Sequence, residues 1–212
     1  MGSTTITTKL LVSALLPVVV LEWTAGGLSQ QLLLPRFWLI CLLRIAETAI
    51  IIGVIKHQTG SLSVIGLDRS TLFPGFKKGL VWSAGFAVTA VILSLALLAI
   101  GCDPLSMVRS PLPSGPAQRM AFFIVGGLIG PVAEEVFFRG LLFGYLRRWG
   151  FPSAVVLTTV LFAALHMGGA IPYTQIVGGM VFAIAYHTAK SLLAPIVIHC
   201  LGNLAIFSLS ML

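Results

Sequence analysis

Seven stretches of the chain run with little polar interruption: residues 10–28, 37–55, 80–100, 119–146, 152–168, 172–188 and 192–211. Helical rise is about 1.5 Å per residue, so roughly 20 apolar residues cross a bilayer core. None of the stretches shows the alternation of a lipid-facing β-strand. The pattern predicts an all-α, polytopic transmembrane bundle of about seven spans. The first stretch follows Lys9 much as a signal peptide would. Its run continues through Glu22 and Trp23 without a small-x-small cleavage site, so it is read as a retained helix. The fifth and sixth stretches are short and meet at Gly168–Gly169, which leaves little loop. Residues 1–212 are expected to form a single integral membrane domain with no separate soluble unit.

Composition sharpens this picture. Of 212 residues, 58% are apolar and 9% charged, with a mean hydropathy of +1.05. Soluble domains carry roughly 25% charged residues, so a soluble globule and a disordered chain are both excluded. The net charge of +7 then belongs to loops on one side of a membrane, and no nucleic-acid partner is expected. With the N-terminus in the cytoplasm, Lys9, Lys56, Arg69, Lys77, Lys78, Arg147, Arg148 and Lys190 fall inside, while Arg36, Arg109 and Arg119 fall outside. Eight against three satisfies the positive-inside rule and predicts N-terminus in, C-terminus out. Residues 56–79 read as a polar, basic surface segment, with His57 in a loop. Residues 101–118 hold four prolines and two glycines, the chemistry of a true loop. Cys41, Cys102 and Cys200 form neither a disulfide framework nor a Cys-x-x-Cys motif.

Ionisable residues inside apolar helices are costly and mark functional sites. Two of the six acidic residues, Glu134 and Glu135, are adjacent within GPVAEEVFFRG. At about 100° per residue, Glu135 and Arg139 differ by about 40° and share a helix face, with the Glu-before-Arg order that favours a pair. Glu134 points away from Arg139. One carboxylate is therefore a structural ion-pair partner, and the other is left for chemistry. His166 and His199 also lie in apolar stretches; Phe162 precedes His166 by four residues, and Asn203 follows His199 by four. Helical rise brings Glu134, His166 and Asn203 to within a few ångströms of one depth, with His199 about one turn shallower. Gly126, Gly127, Gly130, Gly178 and Gly179 nearby allow close helix approach.

A carboxylate, two imidazoles and a carboxamide in a dry site suit water activation and oxyanion stabilisation, and hence hydrolysis of an amide within the membrane. Glu134-Glu135-x-x-x-Arg139, Phe162-x-x-x-His166 and His199-x-x-x-Asn203 resemble, in order and spacing, the three motifs of the CPBP family of intramembrane proteases. This family is also known as ABI or CAAX-protease-like and includes the Rce1-type enzymes. The resemblance covers roughly residues 131–203 and places the catalytic core in about residues 119–212. It implies a glutamate-dependent endopeptidase that needs no cofactor. Glu134 and His166 would activate water, His199 and Asn203 would form the oxyanion hole, and Glu135 and Arg139 would hold the site together. Phe162 is a substrate-binding candidate. A zinc ion on Glu134, His166 and His199 is the alternative, although no His-Glu-x-x-His helix is present.

Small size and seven spans resemble a prokaryotic member in the inner or plasma membrane. Its partners would be the bilayer and a membrane-anchored protein or peptide: a C-terminal sorting tail, a peptide leader or a CaaX-like end. Two rival readings stand beside this one. A transporter or proton pathway would use Glu22, Arg44 and Glu47, and a non-catalytic immunity or scaffold member would use none of the motif residues for chemistry.

Overall fold

The computed structural model describes residues 5–28, 35–168 and 171–212. Gly169, in the joint expected between the fifth and sixth stretches, lies outside the described residues. The described chain is all-α. Its helices are α1 (Thr8–Leu28), α2 (Arg36–Thr59), α3 (Arg69–Ala99), a short α4 (Pro104–Val108), α5 (Pro116–Trp149), α6 (Phe151–Leu165), α7 (Tyr173–Ala189) and α8 (Leu193–Leu209). Among the described residues, four helices are long and apolar enough to cross a membrane: α1, α2, α3 with its preceding turn, and α5; α6 and α8 are shorter apolar helices. Exposed large apolar side chains run along α1 (Val12, Leu16, Val19) and α3 (Val88, Ile92, Leu95). Contiguous apolar surface of this extent is what lipid covers. The chain is an integral membrane protein.

α5 is the central helix. Half of its most apolar window is buried, against 0–22% for the other three long helices. It packs against α2, α6, α7 and α8, while α1 lies on α2 and α3 lies on α8. α1 buries only Leu10, Ala14 and Val18, a stripe at four-residue spacing that faces the core. α5 is not a regular α-helix. Residues Val125–Ile129 and Val136–Phe143 are π-helical, and the six residues between them, Gly130–Glu135, carry both glutamates. The first π turn has a local cause. Pro131 has no N–H to donate one turn back, and the Gly130 N–H reaches five residues back to the Val125 carbonyl. Interrupted helices of this kind recur at functional sites.

Two connections differ from the sequence expectation. Residues 56–79 are mostly helix, because α2 continues to Thr59, with His57 in its last turn, and α3 begins at Arg69. Charge on these residues imitates a loop, but the N-terminus of α3 is specified by a capping box. The Asp68 carboxylate accepts from the Ser70 and Thr71 backbone N–H groups, and the Thr71 hydroxyl accepts from the Asp68 N–H. The Ser70 hydroxyl also donates to Asp68. Residues 101–118 contain the short helix α4, capped by Asp103.

Gly75 and Gly79, four residues apart, form the face of α3 that meets α8. A Cβ at Gly79 would lie 2.8 Å from Val197 Cβ and 3.0 Å from the Ala194 carbonyl, whereas one at Gly85 would meet nothing within 4 Å. Close approach through small residues is how membrane helices gain packing. Gly79→Leu is therefore expected to cost about 1–3 kcal/mol through overpacking and to lower the detergent melting temperature by several degrees, with Gly85→Leu melting near wild type. If the two variants melt alike, the contact does not hold α3 to α8.

Candidate active site

The motif residues on α5, α6 and α8 meet beside the middle of α5. Arg139 Nη1 donates to Glu135 Oε1 at 3.1 Å, and both side chains are fully buried. The same Glu135 oxygen accepts from His199 Nδ1 at 2.8 Å, across 64 residues of chain. Glu135 thus ties α5 to α8. Arg139 Nη2 donates to the Gly179 carbonyl at 3.0 Å and so ties α5 to α7. Three rings surround the guanidinium, with its central carbon 5.6, 5.1 and 5.3 Å from the centroids of Phe138, Phe162 and Phe182. An apolar aromatic cage with cation–π attraction is one of the few dry environments that accept an arginine.

Glu134 turns away from Arg139 to the other edge of the His199 ring. Its Oε2 lies 4.0 Å from His166 Nε2 and 3.8 Å from His199 Nε2. Each His is oriented from behind. His166 caps the C-terminal end of α6 and donates Nδ1–H to the Phe162 carbonyl at 2.7 Å; a carbonyl can only accept, which fixes the proton on Nδ1. His199 donates Nδ1–H to Glu135. Both Nε2 atoms therefore face the Glu134 carboxylate. Side-chain exposures of 26% for Glu134, 32% for His166 and 6% for His199 make Glu134 and His166 the accessible side of the cluster and His199 its back. Asn203 donates from Nδ2 to the Gly126 carbonyl at 2.8 Å, which fixes the amide orientation and leaves its second N–H available.

His166 follows the last residue of α6, Leu165, rather than sitting inside a span that runs to residue 168. Phe162 is 1% exposed; it packs against the His166 ring at 4.6 Å and edge-on to His199 at 5.8 Å. It supports the two histidines from within the bundle. Among the described residues, no three His, Cys, Asp or Glu side chains are grouped so as to hold a metal ion. The three candidate zinc ligands sit with both imidazole Nε2 atoms directed at Glu134 Oε2, at 4.0 and 3.8 Å.

Glu22, Arg44 and Glu47 form a cluster of their own between α1 and α2. Arg44 Nη2 donates to Glu22 Oε1 at 2.7 Å, and its Nη1 donates to Glu47 Oε2 at 2.6 Å. The cysteines are free. Two contributors are absent from the motif spacing: Gly179 and Phe182, both on α7. Their signal is the buried small-and-aromatic face Gly178, Gly179, Phe182, Ala183, Ala185 and Tyr186, which reads equally well as ordinary packing.

Comparison with known proteins agrees on the same segment. Residues 116–205 match the Rce1-like family, described as type II CAAX prenyl endopeptidase Rce1-like. Among curated proteins, the chain is 32% identical over 83 residues to YdiL of Bacillus subtilis (strain 168), a candidate membrane peptidase; the match covers 38% of this chain and 33% of that one. It is 34% identical over 89 residues to MroQ of Staphylococcus aureus (strain USA300), a membrane-embedded CAAX protease, covering 39% and 35%. The matched stretch thus spans about one third of each relative. No solved structure matches.

Proposed function

Because the chain belongs, through residues 116–205, to the Rce1-like CAAX-protease family, we propose that it is a glutamate-dependent intramembrane endopeptidase acting on a membrane-associated protein or peptide. The observation that carries this reading is the convergence of both His Nε2 atoms on Glu134 while Glu135 is occupied by Arg139 and His199. Polar groups about 4 Å apart are spaced for a bridging water. Glu134 takes a proton from that water, with His166 holding it. The hydroxide adds to the scissile carbonyl carbon. The oxyanion so formed is stabilised by the free Asn203 N–H and by His199, which is held between Glu134 and Glu135. Glu134 then returns its proton to the amide nitrogen, the C–N bond breaks, and a carboxylic acid and an amine leave. Glu135 and Arg139 remain a fixed pair throughout.

The catalytic core lies within residues 119–212, in a seven-span chain with its N-terminus inside. Substrates in this reading are C-terminal sorting tails, peptide leaders or CaaX-like ends, in a bacterial plasma membrane like that of the relatives. The test is reconstitution into proteoliposomes with a bacterial membrane-protein fraction, scoring new protein termini alongside ion and solute flux. Cleavage without flux is expected, and it should persist after chelation and dialysis. Flux without cleavage would instead support a transport pathway. Activity lost to chelator and restored by zinc alone would turn Glu134, His166 and His199 into ligands.

A further inference from the structure

α7 carries none of the three motifs, yet it contacts two of the three buried members of the network, Arg139 and His199. Its Gly179 carbonyl accepts from Arg139. One turn on, the Phe182 ring stacks on the His199 ring, with centroids 4.5 Å apart and planes 22° from parallel. The opposite demand on the same ring comes from Arg139, whose guanidinium carbon is 5.3 Å from its centroid. Phe182 is 7% exposed. Its ring lies over the Cα of Gly178, where a Cβ would come within 3.2 Å of two ring carbons.

The consequence for His199 is mechanical. A hydrogen bond at Nδ1 fixes one edge of an imidazole and leaves the ring free to rock, which moves the far edge most. That far edge is Nε2, the atom facing Glu134. A flat aromatic face stacked against the ring blocks the rocking. The groups facing His199 are Glu134 and Glu135 from α5, Phe162 from α6 and Phe182 from α7.

We infer that α7 is a positioning element of the site, with Phe182 fixing the orientation of the His199 imidazole so that Nε2 faces Glu134. The functional part of this inference rests on the proteolytic reading above; the orientational part does not. The test compares wild type, Phe182→Leu, Phe182→Tyr and Glu134→Gln in detergent, by melting temperature, by NMR of histidine-labelled protein and by release of new termini from a bacterial membrane-protein fraction. Phe182→Leu should melt within a few degrees of wild type, release termini about tenfold more slowly, in keeping with the loss of one cation–π contact, and show several exchanging sets of His199 ring signals. Phe182→Tyr should keep one ring-current-shifted set and a rate within about threefold of wild type. A Phe182→Leu protein with the wild-type rate and a single His199 signal set overturns the inference. Should wild type and Glu134→Gln release the same termini, the proteolytic reading fails, and the His199 signals alone decide the role of Phe182.

Discussion

Glu135→Ala is expected to lower the melting temperature in detergent by on the order of 10 °C and to abolish activity at the same time. The carboxylate is fully buried and engages two partners through one oxygen, Arg139 at 3.1 Å and His199 at 2.8 Å. Removing it leaves a guanidinium without its counter-charge in a dry aromatic cage, and breaking a buried pair in this way costs roughly 3–5 kcal/mol. It also frees His199 Nδ1, so the imidazole loses its hydrogen-bonded anchor. Replacing Glu135 and Arg139 together by apolar residues should restore part of the lost stability, because no orphan charge remains. It should not restore activity, because His199 and the Gly179 contact stay unanchored. If Glu135→Ala melts like wild type and is nevertheless inactive, Glu135 acts directly in the chemistry and the division between the two glutamates is wrong.

Glu134→Gln should lose activity without losing stability: turnover lower by two or more orders of magnitude with an unchanged melting temperature. The amide keeps the size of the side chain and its capacity to hold a water but cannot accept a proton. The buried Arg139 keeps its direct partner Glu135, and Glu134 is partly exposed, with the histidine nitrogens at 3.8 and 4.0 Å as its nearest ionisable partners. Two adjacent carboxylates that are both needed for turnover, only one of which is needed for stability, are the signature of this arrangement.

The two glutamates also show what a sequence discloses. Their division into one carboxylate paired with Arg139 and one turned away from it follows from helical periodicity alone, and the Glu135–Arg139 pair survives a π-helical turn because a wider turn keeps positions four apart on nearly the same face. The apolar stretches mark their helices, since burial in lipid leaves a long signal. Less visible is whatever depends on contacts between distant segments. The bond from His199 to Glu135 has no local trace, and α7 contributes a backbone carbonyl and a phenyl ring, groups that look like packing in any apolar helix. The long α3 was obscured for another reason: Arg69, Lys77 and Lys78 suggest a loop, although Asp68 and Thr71 mark a helix start.

The central claim is that Glu134 drives peptide-bond hydrolysis in the membrane. Its most direct measurement is mass spectrometry of membrane-protein termini in cells carrying either the wild-type chain or Glu134→Gln at equal abundance. The account predicts a set of new termini that appear with the wild-type chain and are absent with Glu134→Gln, although both proteins are folded and inserted. The same termini in both, at similar yield, would contradict it.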